Sequence, residues 1–332
     1  MSSAMPAMID SFGRRITYVR LSVTDRCDLR CRYCMAEQMT FLPRADLLDF
    51  AEIETLVDIL IARGVRRIRL TGGEPLVRRG ILDLVAKLGT RIGHGLDELT
   101  MTTNGTQLAS AASALFDGGI RRINVSLDTL DPDRFAHVTR RGRLAQVREG
   151  IAAAKAVGLS IKINMVALGG VNDDEFEAML RWCAAEGHGL TLIETMPLGD
   201  VEGDRTDHYV PLDRVRRELA AKFTLVPSIV RTGGPAQYFD VAELGVRLGL
   251  ITPLSNNFCA GCNRIRIAAT GTVFGCLGHD QKVELRELLR SGGAAAVDAA
   301  LDELLAGKPQ RHAFDIAAPA PAVARHMSVT GG

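Results

Sequence analysis

Apolar positions between residues 16 and 195 follow two alternating rhythms. Six short runs read as strands: 16–24 (ITYVRLSVT), 66–71 (RRIRLT), 98–103 (ELTMTT), 121–127 (RRINVSL), 160–166 (SIKINMV) and 190–195 (LTLIET). Between them lie stretches such as 51–64 (AEIETLVDILIARG), where apolar residues recur at helical spacing. Segments 80–89, 108–119 and 144–158 repeat that pattern and end at glycine, a usual helix stop. Strands alternating with helices over short links predict parallel strands joined by right-handed crossovers. Six units predict an α/β chain with a partial (βα)6 TIM-like barrel, open on one side; a doubly wound open sheet is the alternative. In either, chemistry gathers at the carboxyl ends of the strands.

Two strands carry polar files. Tyr18, Arg20 and Ser22 alternate with Val19, Leu21 and Val23, and Lys162 and Asn164 alternate with Ile161 and Ile163. An unpaired buried charge is costly, so on a buried strand these residues face a wet cavity; the bland alternative is an edge facing solvent.

From about residue 200 the rhythm changes. Residues 210–223 read as a helix, and strand candidates follow near 224–226, 246–251, 264–268 and 272–274. Stretches 283–292 and 295–307 read as terminal helices. The expected organisation is a barrel over 1–200, a smaller C-terminal α+β subdomain over 201–316 closing the open side, and a flexible tail over 317–332. That tail is Pro/Ala-rich and ends in Gly331 and Gly332.

Composition narrows the options. Across 332 residues the net charge is +1, so no global field draws the chain to nucleic acid or to a membrane. No apolar run approaches the ~18 residues of a spanning helix. Seven cysteines divide as three, three and one, with Cys183 an ordinary thiol on a helical stretch. The odd count and the lack of a secretion signal argue against a disulfide framework and for the cytoplasm. Lysines number six among forty basic residues, so each of them is more informative than an arginine.

Cys27, Cys31 and Cys34, spaced C-x3-C-x2-C after the first strand, offer a metal three thiolates and leave a fourth position open, which suits a reactive iron–sulfur cube. Cys259, Cys262 and Cys276 form a second triad, C-x2-C-x13-C. Structural zinc is its rival, since His279 could complete a Cys3His set; His279 is expected to be a bystander. Arg264 and Arg266 in NRIRI share a strand face and make a fork for phosphate oxygens, which structural zinc does not explain. TGGEP (71–75) follows the second strand, and Glu74 or its backbone carbonyls could accept from an ammonium group. No Walker loop, G-x-G-x-x-G or H-E-x-x-H occurs, which disfavours phosphoryl transfer and zinc proteolysis.

CDLRCRYCM followed by TGGEP resembles the radical S-adenosylmethionine superfamily. The run from RLSVTDRCDLRCRYCM through RLTGGEPLVRR, TTNG, INVSLDTL, IKIN and FCAGCNRIRI to the terminal TGG resembles its GTP 3′,8-cyclase family over nearly the whole chain. The resemblance implies a 4Fe–4S cluster on Cys27, Cys31 and Cys34, with S-adenosylmethionine contacted by Tyr33, Gly73, Ser126 and Met196. It implies a second 4Fe–4S cluster on Cys259, Cys262 and Cys276, beside GTP held by Arg20, Arg69, Thr102, Lys162, Arg264, Ile265 and Arg266. Gly331 and Gly332 match a glycine pair needed for activity, and with Arg20, Arg264 and Arg266 they form the implied catalytic set. The implied reaction joins C3′ of the GTP ribose to C8 of guanine, the first step toward the molybdenum cofactor. An external electron donor, a downstream cyclic pyranopterin-forming enzyme and a homodimer come with it. The rivals are a radical peptide-modifying enzyme, which usually has more C-terminal cysteines, and a zinc-binding structural protein.

Overall fold

Each of the six anticipated runs forms a strand: β1 (Tyr18–Ser22), β2 (Arg67–Thr71), β3 (Glu98–Thr103), β4 (Arg122–Ser126), β5 (Ser160–Ala167) and β6 (Gly189–Glu194). The computed structural model describes residues 7–199, 206–230, 232–318 and 320–331. Helices α1 (Phe50–Ala62), α2 (Ile81–Gly89), α3 (Leu108–Asp117), α4 (Pro132–Thr139), α5 (Leu144–Ala156) and α6 (Phe176–Glu186) fall between the strands. The apolar file of each strand, such as Val19 and Leu21, Ile68 and Leu70, or Ile123 and Val125, is buried in one continuous core with the helices. α1 starts at a reciprocal cap: the Asp49 carboxylate accepts from Glu52 N at 2.8 Å, and the Glu52 carboxylate accepts from Asp49 N at 2.7 Å. Such a box is worth about 1 kcal/mol.

The first six strands pair in parallel and in chain order, β1-β2-β3-β4-β5-β6. A doubly wound sheet reverses direction at a switch point; an uninterrupted order is that of a partial barrel.

Past the barrel come α7 (Leu212–Ala220), β7 (Leu225–Pro227), β8 (Gln237–Val241), β9 (Val246–Ile251), β10 (Arg264–Ile267), β11 (Thr272–Phe274), β12 (Lys282–Glu284), α8 (Gly293–Ala306) and α9 (Met327–Thr330). They widen the sheet at both edges. β9 adds in parallel to β6, β10 adds in parallel to β1, and the order runs β12-β11-β10-β1 to β6-β9-β8-β7. The stretch 283–292, expected to be a helix, splits into β12 and a π-helical turn at Leu288–Gly292. Val283 pairs with Val273, and three residues in a ladder leave too little chain for a helix there.

Residues 320–331 have a definite path. Ala322 N donates to Pro197 O and Gly199 N to Val323 O, both at 3.0 Å, and Val323, Ser328 and Thr330 are buried. This is where the Pro/Ala-rich segment runs after the expected boundary at 317. Gly332 lies outside the described residues.

Candidate active site

The loop after β1 carries the first cysteine triad, and other loops hold it. Arg30 N and Arg32 N donate to Thr139 O and Val138 O at the end of α4, both at 3.0 Å. On the other side the TGGEP turn presses against it: Gly73 N donates to Thr24 O and Glu74 N to Arg26 O, both at 2.8 Å. A Cβ on Gly73 would lie 2.4 Å from Arg26 O, so the glycine is required by the chain's approach to itself. The Glu74 carboxylate is fully buried and already engaged, accepting from Leu76 N (3.0 Å), Thr103 Oγ1 (2.8 Å) and Asn104 N (2.6 Å). It clasps the β2 and β3 loops together, which leaves backbone carbonyls as the acceptors for an ammonium group. Burial pushes its carboxyl up to about 7 against those hydrogen bonds.

Cys27, Cys31 and Cys34 line one cavity with Tyr33, Gly73, Thr102, Ser126 and Met196, so the residues implied for S-adenosylmethionine are gathered around the thiols. Thr102, implied for GTP, lines this cavity as well. Among the described residues, Thr71 Oγ1 and Thr102 Oγ1 are buried hydroxyls without a partner, free to meet a polar ligand. Asp128, which sequence reasoning missed, accepts from Tyr33 OH (2.7 Å) and Val166 N (2.9 Å); burial raises its carboxyl to about 6. Asn104 Nδ2, also missed, points at Cys27 Sγ (3.7 Å) and donates to Asp28 (2.7 Å). Burial pushes the thiols of Cys27 and Cys34 up to about 12 and that of Cys31 well upward, so binding iron means releasing their protons.

A second cavity adjoins the first, the two sharing Asn164, Ile193, Met196 and Met327. Cys259, Cys262 and Cys276 line it together with Arg20, Arg69, Lys162, Arg264 and Arg266. Register explains the gathering. Arg20 on β1 sits opposite Arg266 on β10 and Arg69 on β2, and adjacent strands lie about 4.8 Å apart. Three guanidiniums therefore stand in one row, and Arg264 follows two residues along. Among the described residues no carboxylate pairs with any of these arginines or with Lys162. Among the described residues, Arg20 Nε and Arg69 Nε are buried without an acceptor. Burial, then Arg266 and Arg69, hold the Arg20 guanidinium well below its usual range; burial and Arg264 bring Arg266 down to about 9. Uncompensated positive charge of this density is a seat for a polyanion.

Ile265 points the other way, into the core at 1 % exposure, so only its backbone could meet a ligand. Lys162 stacks over Tyr238, with Nζ 4.4 Å from the ring centroid, and hydrogen-bonds the Tyr238 hydroxyl. β8, which brings Tyr238, lacks an apolar alternation that could have announced it. The tail ends in the same place: Arg266 donates to Gly331 O at 2.6 Å, and a Cβ on Gly331 would lie 2.1 Å from Thr71 Oγ1. His279 is absent from the residues lining this cavity; it hydrogen-bonds Arg311 O at 3.0 Å. Cys183 is buried in α6. In the second triad, burial pushes the Cys262 thiol up but Lys308, Arg264 and Arg14 outweigh it, and the net shift is downward. Among the described residues no three His, Cys, Asp or Glu side chains close on the position of a single metal ion.

Two family models match in tandem. Residues 21–183 match the Radical SAM superfamily, which implies an iron–sulfur cluster and S-adenosylmethionine binding, and residues 188–314 match Molybdenum Cofactor Synthesis C. The chain is 57% identical over 331 residues to a GTP 3′,8-cyclase of Erythrobacter litoralis (strain HTCC2594), covering 99% of this chain and 100% of that protein. It is 57% identical over 329 residues to a GTP 3′,8-cyclase of Rhizobium meliloti (strain 1021), covering 98% and 94%. Among solved structures, SuiB of Streptococcus suis superposes with a TM-score of 0.59 at 17% identity, over 83% of this chain and 65% of that one, a likeness of fold. The chain belongs to the GTP 3′,8-cyclase family of the radical S-adenosylmethionine superfamily.

Proposed function

We propose that this chain converts GTP to 3′,8-cyclo-7,8-dihydro-GTP, the first step of molybdenum cofactor biosynthesis. The observation that carries the reading is the junction of two thiol-lined cavities at Asn164, Ile193, Met196 and Met327, with the row Arg266–Arg20–Arg69 along one wall.

Cys27, Cys31 and Cys34 would hold a 4Fe–4S cluster, with Tyr33, Gly73, Ser126 and Met196 around S-adenosylmethionine. When bound, this pair supplies reductive radical chemistry able to take a hydrogen atom from an unactivated carbon. Cys259, Cys262 and Cys276 would hold a second cluster on the guanine side. Arg20, Arg69, Arg264, Arg266 and Lys162 grip the triphosphate and fix the ribose beside the junction. Met196, Ile193 and Met327, each partly exposed to the cavities they line, make the junction largely apolar, which protects a reactive carbon centre. Gly331 brings the tail against Arg266 and Thr71, so the tail completes the wall near the phosphates.

The same reading keeps the division at 1–200, 201–316 and 317–332, with the second part walling the barrel's open side. It includes an external electron donor, a downstream cyclic pyranopterin-forming enzyme, a homodimer and a cytoplasmic setting. Among the described residues no helix is long and apolar enough to cross a membrane.

The test is anaerobic reconstitution with iron and sulfide, then GTP, S-adenosylmethionine and a reductant, with mass detection of the nucleotide. Cyclised nucleotide is expected; 5′-deoxyadenosine without it refutes the substrate. A Cys276→Ala variant should still release some 5′-deoxyadenosine yet lose product, whereas unchanged product removes the second triad from the reaction.

A further inference from the structure

Lys308 follows Gly307, the cap of α8, and is 2 % exposed. Its stem packs against Gly275, where an added Cβ would lie in ordinary contact with Lys308 Cγ at 3.4 Å and closer, at 3.0 Å, to Gln281 Oε1. The ammonium donates to Gly275 O and points at Cys262 Sγ from 3.6 Å. Among the described residues it pairs with no carboxylate. A buried ammonium without a counter-ion is expensive, and one carbonyl does not neutralise it. Its charge acts on two nearby thiols, Cys262 and Cys276, and the thiolates of a metal-loaded triad would supply the missing anions.

We propose that Lys308 is a positioning residue for the cluster at Cys259, Cys262 and Cys276, donating an N–H···S hydrogen bond to Cys262 and setting a fixed positive charge against the thiolates. This rests on the second-cluster reading above. Reduction adds negative charge to a cluster, and a buried cation stabilises the reduced form more than the oxidised one. Lys308 therefore raises the reduction potential of this site, as hydrogen bonds to sulfur do. It also offsets repulsion among the thiolates as they load. The backbone carbonyl of Gly275, beside Cys276, is what aims the ammonium at the triad.

The experiment uses the full chain with Cys27, Cys31 and Cys34 changed to Ser, so that only the second triad can load. After anaerobic reconstitution, iron and sulfide are counted per chain, and the midpoint potential is read by spectroelectrochemistry. Lys308→Met should shift the midpoint to more negative values, and Lys308→Arg should restore most of the shift. Should Lys308→Met fail to fold, Lys308→Gln keeps a donor without the charge and should shift the midpoint the same way. A full complement of iron with an unmoved midpoint in Lys308→Met overturns the proposal, as does a shift that Lys308→Arg does not relieve. A parent protein that binds no iron removes the second cluster and this inference together.

Discussion

At Lys162 burial comes first, and the charges of Arg69, Arg122 and Arg247 come next; together they bring the ammonium from its ordinary 10.5 down to about 7. In the unfolded chain the same group titrates near its ordinary value. Between about pH 7 and 10.5 the unfolded chain therefore binds the extra proton, and this residue's contribution makes the ligand-free fold more stable as pH rises. Below about 7 the penalty is complete and constant. A triphosphate beside the ammonium reverses the balance, since an adjacent anion favours the charged form. Binding GTP near pH 8 should take up close to one proton. Calorimetry in buffers of different ionisation enthalpy reads that uptake, and Lys162→Met should abolish it. Arg20 poses the same conflict in a cleaner form, because its neighbours in register are two more arginines. Arg20→Met should raise the melting temperature of the ligand-free protein while weakening GTP binding roughly 10- to 100-fold, the worth of a charge-assisted hydrogen bond. A fall in both quantities would mean that the arginine row is held by partners of its own.

Elements decide where those residues point. The alternation on β1 and β5 was legible because one file of each strand belongs to the core, which leaves Arg20 and Lys162 on the file that faces the cavity. NRIRI gave the fork for the same reason, and its register beside β1 turned a fork into a row. What could not be read was contact made by geometry alone. Asp128 and Asn104 lie in the loops after β4 and β3, where no periodicity marks a partner, and β8 sets Tyr238 beside Phe239 without alternation, so Tyr238 arrived unforeseen. Glu74 was visible, but its engagement by three donors was not. The tail was misleading in composition: Pro and Ala argued for disorder, yet its path is fixed by single residues. Arg325 donates to Cys276 O (3.1 Å) and His279 O (2.8 Å), stacks over Phe274 at 4.1 Å and pairs with Asp280. Arg325→Ala should free the tail, seen as faster amide exchange over residues 320–331 with exchange in β1 to β6 unchanged. Gly73→Ala, whose Cβ would strike the Arg26 carbonyl, should cost about 1–3 kcal/mol and lower the iron held by the first triad. Melting curves and iron counts check it; a variant as stable and as well loaded as the parent would mean the two loops can part.

On the scale of the whole molecule, the two family models divide a sheet that the hydrogen bonds do not. β1 pairs with β10 through four residue pairs from Tyr18 to Leu21, and β6 pairs with β9 through four from Leu190 to Ile193. Both edges of the six-stranded barrel are thus covered by strands from the second half of the chain. A fragment ending near residue 199 would present two open, apolar edges at once, a template for aggregation. It would also leave the arginine row half built, since Arg266 comes from β10. The fragment 1–199 should therefore give no cooperative melting transition alone, and the full chain should unfold in one step by calorimetry. Co-expression with the fragment 206–332 should recover soluble protein, because the missing edges are then supplied in trans. A soluble, cooperatively melting 1–199 would show instead that the barrel is an independent unit and that the later strands are an addition to it.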